Sequence, residues 1–256
     1  MIETEYEAAA AYVAAHCVPA GELAARVGVS PARLAELDAA KVLPAPTYRV
    51  GRRSVISAIR ALGEPEADAA GWYGMAVVDW LRRAATLLET TPPGWLKEAM
   101  ADWLAQDLRA ELQAQAADAA AFGWAEMFGA DGACGLKAVR GYVDGEWRGW
   151  MLGGWAVCLR RFDGRHLAVK EIERRRIAAL TGEGGKPLLE PGERLAVVDA
   201  MRRLDAVLLP FAPHERPHGT PGIFLDEPAR RYGLPWTPPF GEAPTPPPCL
   251  AAASGM

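Results

Sequence analysis

Trp72-Tyr73-Gly74-Met75-Ala76-Val77-Val78-Asp79-Trp80-Leu81 runs on to Leu88 with apolar residues on most faces, and reads as a buried helix. Thr90-Thr91 before Pro92-Pro93 opens a second helix, in which Leu96, Met100, Trp103, Leu104, Leu108 and Leu112 recur at helical spacing. Lys97, Asp102, Gln106 and Arg109 fall on its outer side. Helical text returns at residues 170–180 and 193–209, the latter aiming Leu195, Val198, Met201, Val207 and Leu208 at a core. In between, residues 132–162 are punctuated by glycine. Residues 134–139 and 155–160 read there as strands, with Asp144-Gly145 and Gly153-Gly154 as turn pairs, so a small antiparallel sheet is expected. The fold class is α+β, mainly helical.

The chain has 256 residues, half of them apolar and 23% charged, with a net charge of −4. That ratio excludes a disordered chain, and the negative balance excludes a generic nucleic-acid coat or a polybasic membrane binder. Cys17, Cys134, Cys158 and Cys249 lie far apart with no C-x-x-C pair, and read as reduced thiols of a cytoplasmic protein. The acidic start, Met1-Ile2-Glu3-Thr4-Glu5, is unlike a signal peptide, and no apolar run approaches membrane-spanning length. No membrane partner is expected.

Charge also divides the chain. Residues 26–60 carry seven bases and two acids, whereas residues 61–136 carry twelve acids and four bases. Gly63-Glu64-Pro65-Glu66 stands at the change and reads as a linker. Twelve of the 21 prolines fall in residues 210–248. The expected organisation is a helix-turn-helix-like module at 1–62, a main α+β domain at 66–234, and a poorly ordered proline-rich tail at 235–256.

Within the first module, Glu22-Leu23-Ala24-Ala25-Arg26-Val27 is a short helix that Gly28 turns, and Ser30 caps a second helix with Pro31 at its first position. Residues 42–53 could form a wing. The run from Glu22 to Ser54 resembles the N-terminal module of MerR-type regulators, which implies DNA contacts through Arg33 on the second helix and Arg49, Arg52 and Arg53 on the wing. The helix itself, PARLAELDAA, offers Arg33 as its single base-reading cation beside Glu36 and Asp38. Weak, non-specific DNA binding is therefore the expectation, with the module serving packing or dimerisation.

Standard catalytic signatures are missing. No G-x-S-x-G or G-x-G-x-x-G is present, and Gly182-Glu183-Gly184-Gly185-Lys186 lacks the Ser or Thr of a phosphate loop. The densest polar cluster is Pro210-Phe211-Ala212-Pro213-His214-Glu215-Arg216-Pro217-His218. His214 can move a proton, Glu215 can orient it, and Arg216 can hold an anion, on a loop stiffened by proline. The alternative is that Glu215 and Arg216 tie the loop to the body. A metal reading of His214, Glu215 and His218 fails because Pro217 prevents a shared helical face, so no metal site is expected. Cys158, placed on a strand, is a candidate thiol nucleophile or a small buried hydrophobe. Arg174-Arg175-Arg176 with Glu171 and Glu173 reads as a solvated helix face. Eight of the nine tryptophans lie between Trp72 and Trp155, either filling a core or lining a ligand box. Trp124, Trp150 and Trp155 are the candidates for substrate contact.

Several of these features recur together. The 18–48 module, the tryptophan-rich middle, Val157-Cys158-Leu159, Lys170-Glu171, and Leu204-Asp205-Ala206-Val207 leading into PFAPHER resemble a bacterial family of unknown function associated with natural-product biosynthesis. The similarity covers most of residues 10–232, and PFAPHER is its most specific element. It implies a place in secondary metabolism without naming a reaction, substrate or cofactor. Three functions follow: a pathway enzyme or accessory protein that binds a small-molecule intermediate in a tryptophan-lined pocket, a MerR-like regulator, or a partner-binding scaffold.

Overall fold

The structure, a computed structural model, describes residues 2–237. The chain enters through helix α1 (Ile2–His16), which buries Ala9, Tyr12 and Val13. Strand β1 (Cys17–Pro19) follows directly, and a helical turn leads into α2 (Leu23–Val27). Gly28 ends α2 in the left-handed conformation, φ 89°, where a side chain would be strained. The Ser30 hydroxyl then accepts a hydrogen bond from the Arg33 amide and Pro31 opens α3 (Pro31–Ala39). The expected helix pair thus forms, with Leu23, Val27 and Leu37 turned inward.

The sheet lies in the first 74 residues of the chain. Strands β2 (Tyr48–Val50), β3 (Val55–Ile56), β4 (Ala61–Leu62) and β5 (Ala70–Gly74) join β1 in the order β1-β5-β2-β3-β4, all antiparallel. Gly74 faces Cys17 and Trp72 faces Tyr48, so β5 lies between the first two strands of the sheet. Gly63–Glu66, the stretch read as a linker, is an anchored corner. Glu66 accepts hydrogen bonds from the Arg52 and Arg53 amides, both at 2.9 Å, and from the Ser54 hydroxyl at 2.8 Å.

Beyond β5 the chain is helical: α4 (Met75–Leu87), α5 (Leu96–Ala114), α6 (Ala116–Ala121), α7 (Leu136–Met151), α8 (Gly154–Cys158), α9 (Gly164–Thr181), α10 (Pro191–Val207) and α11 (Glu227–Tyr232). The strands expected at 134–139 and 155–160 are not formed. Val139, Val143 and Trp150 are buried at four- and seven-residue spacing, a helical stripe that overrides the Asp144-Gly145 turn signal. Arg140 reinforces it by pairing with Asp144 one turn on and with Glu98 and Asp102 of α5. Only isolated bridges remain, Cys134 to Phe128 and Leu159 to Leu208.

Two further expectations change. Leu195 is 74% exposed on α10, and the inward face is carried by Val197, Val198, Met201, Leu204 and Val207. Of the 171–176 charges expected on a solvated face, Arg175 is exposed, whereas Glu171 and Glu173 are buried. Glu173 is 2% exposed and bonds Arg203 of α10 through both oxygens, at 2.8 and 3.1 Å, while Arg176 reaches Glu173 and Asp118. These ion pairs pin α9 to α10 and α6. Past Thr237 the proline-rich tail, with Phe240 and Cys249, lies outside the described residues.

Helix α9 packs between α5 and α10. Its first residue permits this approach: a Cβ on Gly164 would stand 2.3 Å from the Leu108 nitrogen and 2.4 Å from the Asp107 carbonyl carbon. The Gly164 amide donates to the Asp107 carboxylate at 2.7 Å. Backbone cannot yield as a flexible side chain can, so Gly164→Ala is expected to destabilise the fold by about 1–3 kcal/mol, read as a lower denaturant midpoint at unchanged slope.

Candidate functional site

The 210–218 loop is held by its own geometry. Phe211 has φ 66°, a strained value for a bulky residue, and its ring is fully buried. It lies against Gly219, where a Cβ would meet the ring at 2.4 Å. The Glu215 and Arg216 amides both donate to the Ala212 carbonyl, at 2.9 and 3.0 Å, which turns their side chains inward.

The three residues singled out on this loop serve different partners. Glu215 is 0% exposed and reaches the sheet, where Tyr48 of β2 donates to it at 2.7 Å and the Ser57 hydroxyl donates to its other oxygen. Burial pushes the Glu215 carboxyl above the usual carboxylate range, with the two hydroxyls pulling it partly back. Tyr48 is pushed well up by its own burial and by Glu215. Arg216 makes a two-point grip on Asp226, at 2.6 and 2.8 Å, and a further bond to the Pro210 carbonyl at 2.7 Å. Asp226 ends a π-helical turn, Gly222–Asp226, so that turn aims the carboxylate at Arg216. With its guanidinium engaged, Arg216 has no free fork for an outside anion.

His214 differs from its neighbours. Its side chain is 5% exposed, neither ring nitrogen has a hydrogen-bond partner among the described residues, and Nε2 stands 4.0 Å from Glu215. Burial pushes its pKa down to about 4, so the ring is neutral at physiological pH. His214 is therefore an interior residue of the loop. Cys158 is the last residue of α8 rather than a strand residue, and burial raises its thiol to about 11. Cys17 is likewise pushed up to about 12. Neither thiol is a thiolate near neutrality, the form a nucleophile needs.

Of the candidate tryptophans, Trp150 and Trp155 belong to one aromatic cluster and Trp124 does not. Trp150 is fully buried, stacks on Phe162 at 4.0 Å and 3°, and meets Trp80 edge-on at 5.3 Å. Trp155 donates its indole N–H to Glu146 at 3.0 Å and carries the Lys170 ammonium 4.0 Å above its ring. Trp124 packs with Tyr142 at 4.7 Å. The cluster reaches solvent on its far side, in a cleft of about 170 Å³ walled by Trp80, Trp103 and Phe162 and rimmed by Asp79, Arg83, Arg161 and Asp163. Sequence reasoning overlooked Trp103 as a contact residue. Its signal was the lone aromatic ring on the Leu96–Leu112 stripe, one position before the fully apolar Leu104.

The cleft charges are unevenly engaged. Asp79 pairs with Arg82 at 3.2 Å and with Arg161 at 3.4 Å. Asp163 caps α9 by accepting from the His166 amide at 2.9 Å, and its carboxylate also meets the His166 ring at 2.7 Å. Arg83 lies over the Trp103 ring at 4.7 Å and has no carboxylate partner among the described residues.

The arginines considered for DNA are placed otherwise. Arg33 pairs with Glu36 at 2.7 Å on α3, Arg49 is exposed on β2, and Arg52 and Arg53 stand in the β2–β3 turn, where Arg52 reaches Asp68 at 3.6 Å. The α3 surface therefore presents an internally neutralised cation. Duplex DNA is expected to bind weakly and without sequence preference, and to be released at physiological salt, as read by fluorescence anisotropy.

The buried loop sets two opposed pH dependences. His214 has a lowered folded pKa, so the stability it permits is complete above its ordinary value near 6.5 and declines as pH falls toward 4. Glu215 has a raised folded pKa, so its contribution is complete below its ordinary value near 4.5 and declines as pH rises through the folded one. Melting curves are expected to follow: His214→Leu flattens the acid limb, and Glu215→Gln gains on the parent as pH rises above the ordinary carboxylate range.

No curated protein and no solved structure matches the chain. A family of unknown function, DUF6058, matches residues 101–233, from within α5 to just past α11, a span that holds Trp103, Phe162 and the whole 210–218 loop. That span is just over half of the sequence, and the chain belongs to this DUF6058 family.

Proposed function

We propose that this chain is a small-molecule-binding protein of a bacterial biosynthetic pathway, and that it receives its ligand in the Trp80–Trp103–Phe162 cleft. The observation that carries this reading is the cleft itself, where the partly covered Trp103 meets the buried edges of Trp80 and Phe162. Trp80 is 2% exposed and Phe162 4%, so their faces are already fixed by packing, while Trp103 is only partly covered. Such a site is preformed: the rings lose no rotamer freedom when a ligand arrives. The pathway assignment rests on the resemblance carried by PFAPHER and the segments around it.

The same geometry argues for binding ahead of catalysis at the 210–218 loop. Glu215, Arg216 and His214 are interior, and two of the three have their hydrogen bonds filled from within the chain. Their arrangement supports the tie between loop and body that was the alternative at that cluster. The regulator reading is weakened by the Arg33–Glu36 pair and by the acids on α3.

Trp103→Leu tests the reading, because it keeps apolar bulk and removes the ring. Native mass spectrometry of the full-length chain is expected to detect a co-purifying small molecule that the variant loses. Substitution of Trp95, which is 67% exposed and outside the cleft, is expected to leave it in place. Equal retention by Trp103→Leu, or no bound molecule in any form, overturns the proposal.

A further inference from the structure

We infer that the ligand of the aromatic cleft is a planar, single-ring aromatic carboxylate, or the ring end of a larger one, with its carboxylate held by Arg83; this rests on the cleft being the binding site. Size is the first argument. A void of ~150 Å³ accepts benzene, and the cleft holds about 170 Å³, which gives room for one ring while the open side lets any larger remainder extend into solvent.

Charge is the second argument. Two guanidiniums, Arg83 and Arg161, line this edge with two carboxylates, Asp79 and Asp163, and Arg82 reaches Asp79 from outside the lining. Asp79 is shared by Arg82 and Arg161, and Asp163 is occupied by the start of α9. Arg83 is left with a full positive charge facing the cleft and no counter-ion among the described residues. The unpaired Arg83, in a lining whose charges otherwise balance, favours an anion over a neutral ring and disfavours an amine.

Geometry is the third. The Arg83 guanidinium lies over the Trp103 indole at 4.7 Å, and no hydrogen bond among the described residues engages its N–H groups. A carboxylate coplanar with an aryl ring can take two of those N–H groups at once while its ring rests against the uncovered part of Trp103. A tetrahedral anion would use one guanidinium less completely, and no second uncommitted cation lines the site among the described residues. Lysine at position 83 would keep the charge but lose both the stack and the fork.

Benzoate, benzamide and benzylamine separate the arguments, since the three share a ring and differ in charge. With the full-length chain and ligand-detected saturation-transfer NMR, benzoate is expected to bind at least tenfold tighter than benzamide, and benzylamine not at all. Arg83 is exposed, so Arg83→Gln is expected to fold normally and to bring benzoate down to the benzamide level with benzamide unchanged. Arg83→Lys is expected to lose most of the benzoate preference. Benzamide binding as tightly as benzoate would overturn the carboxylate class while leaving the cleft as the site. A benzoate preference that survives Arg83→Gln would overturn the assignment of Arg83. No binding by any of the three would overturn both the class and the reading of the cleft.

Discussion

The carboxylate of Glu215 joins the two ends of the described chain. Its oxygens take hydroxyls from Tyr48 and Ser57, 167 and 158 residues away in sequence, in a place that water does not reach. A buried carboxylate without partners is destabilising by several kcal/mol, and leaving one buried polar partner unmade costs about 1–3 kcal/mol. The sheet and the C-terminal loop are thus each unfavourable in the other's absence. Much else follows from that seam. Phe211 is held in a strained backbone conformation, Arg216 is turned away from the sheet onto Asp226, and His214 is carried inside with its ring nitrogens unpaired.

The helices were legible because their signals are long. The stripes on α4, α5 and α10 repeat over three or more turns, and Ser30, Pro31 and Gly28 mark real caps. The sheet was misplaced for the converse reason. Its strands are two to five residues long, too short for a period-two pattern to rise above the surrounding text. Glycine misled the reading of residues 132–162. Gly145 is exposed on α7 with nothing near its Cβ position, so it is tolerated in a helix whose other face is fixed by Val139, Val143 and Trp150. The true turns are at Gly132, φ 75°, ahead of α7, and at Gly153, φ 82°, which separates two helices.

At the candidate sites, sequence identified which residue types were unusual but not which way they face. PFAPHER was visible as a dense polar cluster on a stiff loop. Its burial was not, because the partners that fill Glu215 and Arg216 lie on a distant strand and on a π-helical turn that no local pattern announces. The tryptophans were likewise visible as a group. Which of them reaches solvent depends on the packing of Phe162 across Trp150, a contact between segments that α7 and α8 bring together. The distinction between a filling ring and a receiving ring is therefore tertiary information.

The position of β5 and the distance to Glu215 together impose an order on synthesis. Every strand of the sheet has left the ribosome once Gly74 emerges, so the N-terminal unit can pair its strands early. The carboxylate that satisfies Tyr48 and Ser57 arrives roughly 7–30 s later at ordinary elongation rates of ~5–20 residues per second. Through that interval the surface destined for the 210–218 loop stands open, with two hydroxyls and the ring of Tyr48 facing water or a chaperone. Proteostasis during translation thus bears on this protein at one defined surface, and the late arrival of a single loop converts a tolerant nascent intermediate into the closed native chain.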